Sequence, residues 1–318
     1  MKRKGIVAAI ALAAVAAATG SALSSMRASS QPAAAAETPW VRYVMVGLGG
    51  FRGVISEVLW IRADRLQEQG RYFELAQLAD WICALDPRAA DAWAFSAWNL
   101  AYNICAMVPS PEAKLHWVRA GISLLRDRAI PANPSAPSLY RELGWLYQNK
   151  IGTPNDPASV AYRLDVAADS ARAPDQRRHP LDSETVREIE ARFGPLDWRL
   201  PQSHAIHWAW RGLATNPTGF EREALRRMVH QNLVAMILAG EFTGDTDKGV
   251  WTAKPRWELV PPTMDFFEES IAITPGELHI YRYFLDAMAR RVPRPAYAAI
   301  ADKAAARLAE LGGPEDED

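Results

Sequence analysis

Apolar residues recur at three- and four-residue intervals from Gly53 to the end of the chain, and no run of β-branched residues alternates with polar ones. The pattern predicts helices over 56–69 and 72–85, with a turn at Gly70 between them. It predicts further helices over 115–127, 158–171, 183–193, 203–213, 220–239, 263–273, 275–290 and 295–311. Asp182 or Ser183 can cap the helix ending at Phe193, and Ser203 can cap the one ending at Leu213. The polar stretch 174–180 reads as a loop and 194–202 as a bend. The stretch 241–262 reads as a long loop.

Helix breakers recur in one setting: Ala84-Leu85-Asp86-Pro87, Pro131-Ala132-Asn133-Pro134, Ala214-Thr215-Asn216-Pro217 and Ala272-Ile273-Thr274-Pro275. Each is an apolar-to-polar exit followed by Pro, whose missing N–H is no loss in the first turn of the next helix. Four such exits point to an internal repeat. Leu59 and Trp93 are 34 residues apart. Trp93 is followed by Ala97 and Leu100. Tyr140 is followed by Leu143-Gly144 and Tyr147, close to W-x2-LG-x2-Y with Tyr in the first place. A large side chain followed by a small one (Ala63, Ala97, Gly144) makes a knob and a gap, so that two helices can approach closely. Trp93 and Tyr140 are 47 residues apart, and the extra 13 fit a longer loop at 108–112.

Residues 56–147 thus resemble the tetratricopeptide-repeat superfamily. The resemblance implies an all-α solenoid of helical hairpins, with TPR-like repeats over 40–150 and degenerate helical repeats over 151–312. The whole is similar to bacterial membrane-anchored proteins of that superfamily, a likeness that implies no known activity. In such a solenoid the first helix of each hairpin lines a concave surface. In this register that face carries Glu57, Trp60, Asp64 and Gln67, then Trp98 and Tyr102, then Arg141, Trp145, Gln148 and Asn149. Aromatic and Arg side chains dominate binding hot spots, so the set suits an extended or helical peptide. The alternative for each Trp is packing between repeats.

The N-terminus adds a location. Lys2, Arg3 and Lys4 precede an uncharged run to Met26, whose apolar heart is 6–18. Segment 1–26 reads as a transmembrane anchor or as a cleaved signal peptide. Both send the rest of the chain outside the cytoplasm, because the positive end stays in. Residues 27–39 have linker composition, and 313–318 form an acidic tail. The glycines around 47–53 suit a flexible lead to the first helix better than a phosphate loop, for which GK[ST] is missing.

Composition adds exclusions. The chain has 318 residues, 49% apolar and 23% charged, enough for a sizeable core. The net charge of −1 gives no field toward nucleic acid or an anionic membrane. Cys83 and Cys105 lie in apolar helical stretches and read as buried thiols, a disulfide being the alternative for an exported domain. His204 and His207 share a helix face at i, i+3 and could ligate zinc with His230, Asp197 or Glu221. The other reading puts one His in a packed bend beside Trp198 and Trp208 and the other at the surface. The segment 196–201 (LDWRLP) is a plug between the two halves, or a second recognition site with Arg199 free. No catalytic signature and no cofactor motif is present. The expectation is a non-enzymatic envelope scaffold or adaptor whose partner is a protein or peptide. The alternatives are a metal-binding or enzymatic protein built on His204 and His207, and a self-associating module.

Overall fold

The structure, a computed structural model, describes residues 52–239 and 255–312. The expected anchor or signal, the linker, most of the glycine-rich lead, the acidic tail and most of the loop 241–262 lie outside the described residues. Within them the chain is all-α: twelve helices and no strand.

The first hairpin is α1 (Arg52–Glu68) and α2 (Tyr72–Leu85). Gly70 makes the turn with φ +69°, a left-handed backbone that a Cβ would strain. Ala63, Leu66, Leu75, Leu78 and Ile82 fill the seam at helical spacing. Each fully buried Leu or Ile contributes about 1.5–3 kcal/mol.

The next two helices are longer than a repeat requires. Helix α3 runs unbroken over 90–107 and α4 over 111–132. Only 108–110 separates them, so the expected long loop at 108–112 is not there. The extra residues lengthen the helices instead. Each holds a six-residue π-helical stretch, Asn99–Ile104 in α3 and Leu124–Ala129 in α4. An i→i+5 turn absorbs an inserted residue without ending a helix. Ser110 caps α4 by accepting the Ala113 N–H at 3.1 Å, with Pro111 in its first turn.

Helix α5 covers 137–151 and ends in a third π-helical stretch, Leu146–Ile151. It is followed by α6 (Ser159–Ser170) and α7 (Ser183–Phe193), which Asp182 caps through the Thr185 N–H at 2.7 Å. Helix α8 is Pro201–Leu213. It starts earlier than its sequence suggests, because Pro201 takes the first turn. Ser203 lies inside the helix and donates to the Asp197 carbonyl at 2.7 Å. Helices α9 (Gly219–Ala239), α10 (Val260–Ile273), α11 (Leu278–Arg291) and α12 (Arg294–Glu310) complete the described chain.

Each of α1/α2, α3/α4, α9/α10 and α11/α12 packs as neighbours in sequence. Helix α5 departs from this and packs most broadly on α8, which in turn lies along α9. Gly144 permits the approach: a Cβ there would sit 3.3 Å from the Ala205 carbonyl oxygen and 2.5 Å from the Met228 sulfur. The gap after Tyr140 therefore serves α8 and α9 and not the helix next in sequence. Helices α6 and α7 form an excursion that returns the chain to α5. Apolar packing divides along α8: Ala205 and Trp208 join the core of α1–α6, while Ile206 and Ala209 join that of α7–α12. Tyr162 and Val166 of α6 belong to the first core.

Candidate functional site

Helices α1, α3 and α5 are tied together by aromatic and amide side chains, most of them expected site residues. Trp60 of α1 meets Phe95 of α3 edge to face, with centroids 5.3 Å apart. One turn on, Trp98 stacks on Tyr102 at 4.0 Å and 20°. Trp98 is 42% exposed. The Tyr102 hydroxyl donates to Asn149 of α5 at 3.2 Å. The Lys150 ammonium stands 5.1 Å from the Tyr102 ring centre and pairs with Asp156 at 2.7 Å. Burial pushes the Tyr102 phenol well above its ordinary range, so it stays a neutral donor. Asp64 is exposed on α1.

The rest of the expected set turns toward α9. Arg141 holds Glu221 at 2.9 Å and Glu142 at 2.7 Å, with its guanidinium 5.7 Å from the Phe220 ring centre. Gln148 donates to Gln231 at 2.8 Å and accepts from Asn232 at 3.1 Å. Trp145 packs against the second core. Arg141 and Gln148 are therefore satisfied within the chain, and the open part of the row is Trp60, Asp64, Trp98 and Tyr102. The sequence did not single out Phe95 or Lys150 for this row. Phe95 was legible as the residue four after Asp91 on the face that carries Trp98.

His204 and His207 are both buried, which corrects the expectation of one at the surface. His204 Nε2 bonds the Trp198 carbonyl at 3.0 Å, and its ring stacks on Tyr147 at 4.9 Å. His207 lies edge-on to Trp198 and Trp208, and its Nε2 accepts the Asp182 N–H at 3.4 Å. Burial lowers both pKa values, that of His207 to about 3. His230, an expected third ligand, is stacked on Phe267 in the second core. Asp197 pairs with Arg199 at 2.8 Å, and Glu221 pairs with Arg141. Among the described residues no three His, Cys, Asp or Glu side chains gather as a metal set. Arg199 is thus engaged and not free. Trp198 donates to Glu190 at 2.7 Å, and its carbonyl also accepts from Ser170 at 2.7 Å.

Sequence reasoning missed a buried polar cluster beneath this bend. His179, read as part of a polar loop, is 3% exposed. Its Nε2 bonds Asp165 at 3.1 Å and its Nδ1 bonds the Tyr147 hydroxyl at 2.8 Å. Asp165 also receives Arg119 at 2.7 Å and Arg178. Burial opposes ionisation of Asp165, but the bonds from His179 and Arg119 outweigh it and hold the carboxyl well below its ordinary range. Asp169, four residues on, accepts the backbone N–H groups of Arg178 and His179 at 2.9 and 2.7 Å. The signal in the sequence was two Asp at i, i+4 on a helix whose other residues are mostly apolar.

The Asp165–His179–Tyr147 chain has the connectivity of a proton relay, but Tyr147 is 1% exposed and its phenol is raised by burial. It ends on no open atom. Ser270, His230 and Glu277 form a set with the order of a catalytic triad, at 3.0 and 4.0 Å. There the Ser270 hydroxyl lies within hydrogen-bond distance of both the Phe266 carbonyl and His230 Nε2, Arg226 donates to its oxygen at 2.8 Å, and Ser270 and His230 are 1% and 2% exposed. Both clusters act as staples between helices.

Comparison with protein-family models, with curated proteins and with solved structures gives no match. The tetratricopeptide likeness rests on residues 56–147 alone. Among the described residues no helix is long and apolar enough to cross a membrane.

Proposed function

We propose that the chain is a helical-repeat adaptor that holds a protein or peptide segment on the face of α1, α3 and α5. It performs no catalysis itself. The hairpins α1/α2, α3/α4, α5/α8, α9/α10 and α11/α12 stack as a tetratricopeptide-like solenoid, with α6–α7 as an excursion from the third unit. What carries the reading is the half-exposed Trp98, held flat on Tyr102 in a row that crosses three helices. Rigid aromatic surface of this kind binds at low entropic cost. The basic start and apolar run of residues 1–26 support a place in the bacterial cell envelope. There the segment serves as an anchor in the inner membrane or as a signal, and the helical domain lies in the periplasm.

Site-specific photo-crosslinking in the native cell tests the reading. A crosslinking residue at position 64 or 91 should capture a discrete partner, and one at the exposed position 112 of α4 should not. Equal capture from both faces, or none from 64 and 91, overturns it. Fractionation with a mature-mass measurement tests the location, and a full-length cytoplasmic protein overturns that part.

A further inference from the structure

Among the described residues, four carboxylates near the aromatic row have no ion-pair partner, and this narrows the partner. Glu57, Asp64 and Glu68 follow one face of α1, opposite the buried Ala63 and Leu66. Asp91 lies on α3 at the helical spacing that leads to Phe95, Trp98 and Tyr102. All four are exposed. None forms an ion pair or side-chain hydrogen bond with a described residue. Elsewhere on the inner helices the opposite holds: Arg141 is taken by Glu221 and Glu142, and Arg227 by Glu277 at 3.0 Å. Arg62 and Arg65 of α1 follow another edge of that helix, in a cleft with Val58 and Gln69. Among the described side chains of α1 and α3 on this face, the open charges are thus negative and lie with aromatic surface.

Resting on the adaptor reading above, we infer that this face takes a cationic segment: an extended stretch of a partner protein bearing Arg or Lys side chains. A guanidinium or ammonium over an indole face is attracted by the ring quadrupole. The four carboxylates supply complementary charge and the approach field. The fold already uses the same pairing internally, with Lys150 set against Tyr102. An acidic partner would meet like charge on two helices.

A random linear-peptide display library selected on the purified full-length protein tests this, with affinities then measured for the selected peptides at several salt concentrations. Selected peptides should be enriched in Arg and Lys, and their binding should weaken as salt rises. Trp98→Ala should weaken it about tenfold, with Trp98→Phe recovering part. Asp64→Asn with Asp91→Asn should weaken it about tenfold and flatten the salt dependence. Glu112→Gln with Glu184→Gln, away from the row, should do neither, and circular dichroism of every variant confirms folding. Neutral or acidic peptides that still need Trp98 overturn the charge inference and leave the adaptor reading standing. Selected peptides indifferent to Trp98, or no selected peptides, overturn both.

Discussion

Gly121 of α4 lies so close to Ala97 of α3 that a Cβ on the glycine would stand 2.9 Å from the alanine carbonyl oxygen. The contact is backbone, so neither side can yield by turning a rotamer. Gly121→Ala should therefore destabilise the protein by about 1–3 kcal/mol. Thermal unfolding should fall by about 2–4 °C for each kcal/mol. Gly144→Ala meets mainly the flexible end of Met228 and should cost less. The reverse order in a melting series would contradict this account of the two gaps.

The buried cluster separates a staple from a relay. Tyr147→Phe keeps the ring on His204 and removes only the hydroxyl bonded to His179, an expected loss of about 1–2 kcal/mol. Asp165→Asn removes the charge that answers Arg119, Arg178 and His179. Its cost should be about 3 kcal/mol, at the low end for buried pairs because both arginines are about a third exposed. Chemical denaturation with an unchanged m-value measures both. Equal effects would mean that the carboxylate is not the hub.

Acid should unfold the protein through its histidines. His207 and His230 are neutral in the fold, their pKa values lowered by burial from the ordinary 6.5 to about 3, and His204 is lowered as well. The unfolded chain binds more protons below pH 6.5, so this stability is fully present above that pH and is lost as pH falls toward 3. Each histidine contributes a slope of about 1.4 kcal/mol per pH unit in that window. Asp165, lowered too, adds its loss at lower pH, through the ordinary carboxylate range and below. Stability against pH should show an uptake of about three protons on unfolding between pH 6 and 4. His230→Gln should remove about one. A flat profile over this window would rule out buried neutral histidines.

Local rules made much of the fold legible. The helix 72–85 reads from its apolar period and the preceding Gly70, and Asp182 reads as a cap from its place just before the period that ends at Phe193. What failed depended on contacts distant in sequence. Nothing near Gly144 says that its neighbour is Ala205. Nothing marks the three π-helical stretches either, so the residues they absorb read as loop length. The stretch containing His179 looks solvated because its composition is polar, yet Asp165 and Asp169 draw it inward. That Trp98 and Tyr102 share a helix face was readable from their spacing. The closure of Arg141 by Glu221 was not, since it joins helices α5 and α9.

The two thiols give the last test. Cys83 and Cys105 are free and buried. Burial raises the Cys83 pKa to about 12, and the Cys105 sulfur lies 3.3 Å from the Tyr162 hydroxyl. A thiol reagent needs an exposed thiolate, so native protein should react only as fast as it opens. Two equivalents should be consumed in denaturant without reductant and almost none in buffer. Labelling rates for both should rise together in Gly121→Ala, because both cysteines sit in the core that the glycine closes. A protein that yields no thiol in denaturant until reduced would carry a disulfide, and α2 and α3 would then need to pack differently. Prompt labelling of one cysteine alone in native buffer would instead place it on a locally open helix.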